Sequence, residues 1–291
     1  VNRVTAPVLL LLAVLLVACS GEVDASGNQA EPVRASERYV ALGDSYTSGP
    51  RLGARSGPEG CEQTTGNYPH LLAERLGLEL VDVSCGGAMT DHLTEHQQLA
   101  GTAEVPPQLD ALDADTALVT LSVGANDGNV FGDLVIDCVR SGMADPGGTP
   151  CTKKAQLDNG RLAQEIAGIA DSIEEAVGDI LERAPRARVI VVGYPQIVPA
   201  SGHCDQLPLA AGDYPFAHQV VQDIVQAQQD GARTADAEYV DVWSATEGHD
   251  ICADDPWIAG IRPQKPAAIF HPYAEHQDVV ADLLMAKISG S

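Results

Sequence analysis

Basic side chains are scarce in this sequence: 17 Lys and Arg stand against 41 Asp and Glu, a formal net charge of −24 at pH 7 over 291 residues. No basic run occurs anywhere, and so acidic a surface repels phosphate backbones, which argues against nucleic acid as a partner. No cysteine shows the CxxC or Cys/His spacing of a zinc site, and no motif implies a cofactor, so neither metal nor cofactor is expected. No internal repeat has the period of a solenoid or a propeller. What is present is an apolar content of 45%, ordinary for a globular chain and sufficient at this length for one large domain.

The apolar run Val8–Val17 is too short to cross a bilayer but has the length of a signal-peptide core, with Arg3 ahead of it. It leads into Leu16-Val17-Ala18-Cys19, which is similar to a bacterial lipobox, in which the cysteine becomes the first residue and carries lipid. The chain thus divides into a lipoprotein signal over 1–18, a polar tether over 19–37 and a folded domain over 38–291. The tether would reach roughly 25 Å on average. Export is expected, with lipidated Cys19 as the only membrane contact and a monomeric domain beyond it. The remaining cysteines, Cys61, Cys85, Cys138, Cys151, Cys204 and Cys252, are even in number, which in an exported chain implies disulfides of open connectivity.

Five segments read as strands: 39–42, 78–84, 116–123, 187–194 and 238–243. The third is almost wholly apolar or β-branched, as a parallel strand covered on both faces must be. Helices are expected over 68–76, 91–108, 158–184, 214–236 with Asp213 as N-cap, and 273–288. In the long one, Leu162, Ile166, Ile169, Ile173, Val177, Ile180 and Leu181 form a single stripe. The stretch 129–158, with Pro146-Gly147-Gly148, reads as an irregular excursion. Alternating strands and helices predict an α/β fold: three layers around a parallel sheet of about five strands.

The motifs fall just past strand ends or before the last helix, where open α/β sheets place their sites. Gly43-Asp44-Ser45 follows the first strand, and such a turn exposes a serine hydroxyl while aiming helix N-terminal amides at the same point. Alone, it fits an ordinary polar turn equally well. Three further elements follow in order: Ser84-Cys85-Gly86-Gly87-Ala88, Gly124-Ala125-Asn126-Asp127 and Phe270-His271-Pro272. Together they resemble the sequence blocks of the SGNH (GDSL-type) hydrolases, most nearly the secreted, disulfide-containing lipases and esterases of actinobacteria. The serine lacks the second glycine of a G-x-S-x-G elbow and precedes nearly all of the sheet, unlike an α/β-hydrolase.

The resemblance implies a flavodoxin-like α/β/α architecture with Ser45 as nucleophile and His271 as base. It implies an oxyanion hole made by the Ser45 and Gly87 backbone N–H groups and the Asn126 side-chain amide. Gly86 takes the place of Gly87 if the register slips by one. Asp44 and Asp127 are expected to fix turns. The disulfide pattern it implies is sequential: Cys61–Cys85, Cys138–Cys151 and Cys204–Cys252. One departure matters: Ala268 stands three residues before the histidine, where many members carry the Asp that orients it. The main-chain oxygen of Ala268 is therefore the expected orienter, with Asp250, Asp254 and Asp255 as rivals. The implied activity is hydrolysis of a lipid or small acyl ester through an acyl-serine. The alternatives are a carbohydrate O-deacetylase and a catalytically silent binding lipoprotein.

Overall fold

A computed structural model describes residues 1–2, 32–101 and 103–290. The expected signal segment, Cys19 and most of the tether lie outside the described residues. In chain order the elements are β1 (Arg38–Gly43), α1 (Ser45–Ser48), α2 (Tyr68–Leu76), β2 (Glu79–Asp82), β3 (Gln97–Gln98), β4 (Glu104–Val105) and β5 (Thr116–Ser122). Then come α3 (Val130–Gly132), a π-helical turn (Asp133–Asp137), α4 (Cys138–Ala144), α5 (Pro150–Gln156), α6 (Arg161–Arg183) and β6 (Arg188–Val192). The last are α7 (Tyr214–Thr234), β7 (Glu238–Val240), α8 (Val242–Ala245) and α9 (Ala274–Ser289).

The main sheet has five strands in the order β2-β1-β5-β6-β7, and every neighbouring pair is parallel. Alternation along the strands sends side chains to two separate cores. Val40, Leu42, Val119, Leu121, Val189 and Val191 pack toward α6 and α7, whereas Tyr39, Ala41, Leu118, Ile190 and Val192 pack toward α2 and α9. The expected three-layer α/β/α fold is therefore present. The order reverses between β1 and β5, and this switch point opens a crevice at the carboxyl ends of those two strands.

Three sequence expectations need correction. Residues 91–108 are not a helix: a 3₁₀ turn at Thr90–Leu93 is followed by the β3–β4 ribbon. The segment is polar with few apolar anchors, so it has no stripe to bury against the sheet. Leu181 leaves the α6 stripe and stands 39% exposed, because Ile180 already occupies the buried position of that turn. The stretch 129–158 is largely helical rather than irregular. Its helices are fixed from outside. Cys138–Cys151 clamps α4 to α5, and the carboxylate of Asp213 accepts the N–H groups of Cys151 and Thr152, both at 2.9 Å, at the start of α5. Asp213 thus precedes α7 as expected, but its side chain caps a different helix. The three disulfides pair in the sequential pattern.

Candidate active site

Ser45 opens α1 directly beyond β1. The turn that carries it is tight: a Cβ on Gly43 would meet Thr47 Oγ1 at 2.3 Å and the Ser122 carbonyl at 2.7 Å, so only glycine fits. Asp44 caps α1, accepting the Tyr46 N–H at 2.8 Å. Asp44, Tyr46, Thr47 and Ser48 are buried, while Ser45 is half-buried and reaches the crevice.

The second motif runs alongside. Val83 N–H and Cys85 N–H donate to the carbonyls of Ala41 and Gly43, both at 3.0 Å, which carries the chain past β2 to the Ser45 turn. Gly86 donates its N–H to the Cys61 carbonyl at 2.9 Å, and the Cys61–Cys85 disulfide fixes that contact. The Gly86 N–H is therefore taken. Among the described residues, the N–H groups of Ser45 and Gly87 donate to no protein acceptor. Gly87 needs its φ of +73°, a left-handed conformation that glycine adopts without strain.

Asn126 follows β5 and ties the two turns together. Its Nδ2 donates to the Ala88 carbonyl at 3.0 Å and stands 3.5 Å from Asp44 Oδ2. Asp127 accepts both the N–H and the hydroxyl of Thr90, at 2.9 and 2.7 Å, and fixes the turn as expected.

His271 lies in the loop before α9 and is half-buried. Its Nδ1 meets the carbonyl of Ile269 at 2.7 Å. This corrects the expectation for Ala268, whose carbonyl instead accepts the His271 backbone N–H at 3.3 Å. The cause is the turn itself. Ala268–His271 closes on its own main chain, and Phe270 sits at φ +60°, as the third residue of a type II turn must. The outer carbonyl is consumed by closure, and the central one, on Ile269, is free to face the imidazole. Two of the three rival carboxylates are engaged elsewhere, Asp250 accepting the Cys252 N–H and Asp255 lying beside His249, and no hydrogen bond or ion pair between Asp254 and His271 occurs among the described residues. Burial lowers the imidazole pKa below its ordinary value, opposed by the Ile269 hydrogen bond and the charge of Glu62.

Two tyrosines that no motif singles out hold this arrangement. Tyr46 donates its hydroxyl to the Phe270 carbonyl at 2.8 Å, and its ring centroid lies 5.5 Å from that of His271. It thereby couples the helix of Ser45 to the loop of His271. A φ of +60° is costly for a phenylalanine, of order 1–3 kcal/mol, and this hydrogen bond helps to hold it. Tyr194, two residues past β6, donates to Asp44 Oδ2 at 2.6 Å and accepts the Ala125 N–H at 3.3 Å. It joins the Ser45 turn to the Asn126 turn, 150 residues apart for the Asp44 contact. Burial pushes the Asp44 carboxyl up to about 7, and the Tyr194 hydrogen bond acts against that rise. Tyr194→Phe is expected to lower kcat about tenfold with little change in KM, the loss of one buried charge-assisted hydrogen bond. A folded variant with unchanged kcat would remove Tyr194 from this role.

A hydroxyl presented at the switch point of an open parallel sheet, beside the open amides of Ser45 and Gly87, belongs to a recognisable class: serine hydrolases built on a flavodoxin-like α/β/α sandwich. The sequence profile of the GDSL-like lipase/acylhydrolase family matches residues 41–278, and the chain belongs to that family. It is a serine ester hydrolase. It is 38% identical over 231 residues to Lipase 2 of Streptomyces coelicolor, covering 77% of this chain and 76% of that one. Among solved structures it resembles phospholipase A1 from Streptomyces albidoflavus NA297, with a TM-score of 0.71 and 26% identity over 87% of this chain and 100% of that one. It also resembles an extracellular lipase from Streptomyces rimosus, with a TM-score of 0.67 and 26% identity over 86% and 99% of the two chains.

Proposed function

We propose that the protein hydrolyses acyl esters of lipids through a covalent acyl-serine, using a Ser45–His271 dyad. Ser45 Oγ attacks the ester carbonyl and gives its proton to His271 Nε2. The imidazole then passes that proton to the leaving alcohol, and water releases the acid by the same route in reverse. The Ile269 carbonyl holds the Nδ1–H tautomer that this requires. The oxyanion is received by the N–H groups of Ser45 and Gly87, with the second N–H of the Asn126 amide, which meets Asp44 Oδ2 only at 3.5 Å, turning to it as third donor. One observation carries the reading: those two amides, on neighbouring strand ends, are without acceptors, while the adjacent Gly86 amide is not. Lipid esters are the proposed substrates because the similar Streptomyces proteins are a lipase and a phospholipase A1. The test is a fluorophosphonate label on the purified chain. One adduct per chain, mapped to the peptide of Ser45, is expected; labelling elsewhere, or none, refutes it.

The three disulfides suit an oxidising, extracytoplasmic setting. We further infer that residues 1–18 are a signal peptide and that Cys19 is lipidated, with 19–37 as the tether. The support is the lipobox-like LVAC closing a short apolar run. Cys19→Ala should release the protein from the membrane fraction of the native host. Identical partitioning of mutant and wild type would overturn the anchor.

A further inference from the structure

The helical hairpin of α4 and α5 has an outward face whose residues the fold does not use. Ile136, Met143 and Leu157 are 55%, 66% and 82% exposed. Ile136 and Met143 lie seven residues apart on the continuous helical stretch 133–144, so they share a face, with Arg140 between them. The second arm runs antiparallel to the first. Cys151 joins Cys138, Lys154 reaches Asp137 at 2.8 Å, and Arg161 reaches Asp133 at 2.7 Å. Leu157 falls between the last two contacts, so the antiparallel arms bring it to the same end of the hairpin as Ile136. One hairpin thus carries three exposed apolar side chains, with Arg140, Lys153 and Lys154 among them.

Charge and position identify what covers it. Between residues 133 and 157 three carboxylates (Asp133, Asp137 and Asp145) face three cations (Arg140, Lys153 and Lys154), in a chain of net charge −24. The segment is neutral, so it can approach an anionic surface that the rest of the protein repels. Beneath the hairpin an open slot is walled by Leu134, the Cys138–Cys151 disulfide, Leu162, Phe216 and Val220, and its polar lining, Asp133, Lys154, Asp158 and Arg161, balances in charge. Apolar walls with a charge-balanced rim suit an acyl chain. The segments that flank the hairpin reach the candidate active site. Arg161 donates to the carbonyl of Gly128 at 3.2 Å, two residues past Asn126, and the Phe131 ring packs edge-on against Tyr46 at 5.9 Å.

We propose that this hairpin face docks the enzyme on a lipid layer, so that the natural substrate is an aggregated acyl ester drawn from that layer. The inference rests on the ester-hydrolase reading above for its substrate, and its test separates the two. Ile136, Met143 and Leu157 are changed together to Ser in a full chain carrying Cys19→Ala, which has no lipid anchor and is also the reference protein; all three are exposed, and an unchanged circular dichroism spectrum and melting temperature check the fold. Two rates are compared: hydrolysis of dissolved p-nitrophenyl acetate, and hydrolysis of vesicles made of equal parts phosphatidylcholine and phosphatidylglycerol. Flotation with the same vesicles reads binding without catalysis. The expected result is an unchanged rate on the dissolved ester with at least about a tenfold loss of vesicle hydrolysis and of flotation. Equal vesicle rates for variant and reference overturn the proposal, as does an equal loss on both substrates. A dimer of the reference that the triple change dissociates, with flotation unaffected, assigns the face to a second copy and also overturns it. If the reference hydrolyses neither ester, the hydrolase reading fails while flotation still decides the docking surface.

Discussion

Ser45→Ala and His271→Ala should each lower kcat on p-nitrophenyl acetate by about 10⁴-fold or more, and the double variant should be no worse than either alone. In the proposed mechanism nucleophile and base act as one unit, so removing either removes the proton transfer and the acyl intermediate together. The orienter behaves differently. It is the main-chain carbonyl of Ile269, so Ile269→Ala and Ala268→Ser should both retain most activity. A neutral carbonyl fixes the tautomer but stabilises the imidazolium less than a carboxylate does, which leaves burial to set the His271 pKa below its ordinary value. The base is active when neutral. The acid limb of kcat/KM should therefore fall below the ordinary histidine value of about 6.5. Should Asp250→Asn, Asp254→Asn or Asp255→Asn cost as much as His271→Ala, a carboxylate triad replaces the dyad.

The second large effect concerns stability in acid. His276 is fully buried one turn into α9, with no hydrogen-bond partner at either ring nitrogen among the described residues, and burial pushes its pKa down to about 3. The unfolded chain takes up that proton near pH 6.5, the folded chain only near 3. Between those values the unfolded state binds more protons, so the stability present above pH 6.5 is lost as pH falls. At pH 4.5 the loss is about 3 kcal/mol from this residue. Asp44 works in the opposite sense. Its folded pKa is raised to about 7, so it contributes stability below about 4 that is lost as pH rises through 7. The two offset each other in the wild type. His276→Leu should unmask the Asp44 slope: its urea midpoint should rise, relative to wild type, as pH drops from 7.5 to 4.5. Parallel pH dependences for the two proteins would show that His276 does not titrate in this way.

The departures from expectation share a physical origin. Whether Ala268 or Ile269 orients the histidine depends on which peptide plane a type II turn rotates outward, a choice set by the φ of Phe270 and by the Tyr46 hydroxyl that holds it. The hairpin of α4 and α5 escaped the periodicity because Gly132, Gly142 and a π-helical turn interrupt the 3.6-residue pattern. Its stability comes from a disulfide and from Asp213, more than 60 residues away in sequence from the helix start that it caps. Asp213 leaves no local signal, and the two cysteines, though visible in the sequence, carry no helical period.

The sequence by itself determined the fold class, because strands buried on both faces must be almost wholly apolar and the helices between them amphipathic. Family resemblance, carried by motifs at strand ends and before the last helix, added Ser45, Asn126, His271 and either Gly86 or Gly87 as the candidate group, and the disulfide pairing with them. Only the tertiary structure shows the Gly86 N–H taken up by a carbonyl on Cys61 and that of Gly87 left open. It alone brought in Tyr46 and Tyr194, whose hydroxyls bridge turns separated by 224 and 150 residues. Local propensity reports what a residue does to its own few neighbours. A hydrogen bond across a sheet is fixed by where the whole chain has already gone.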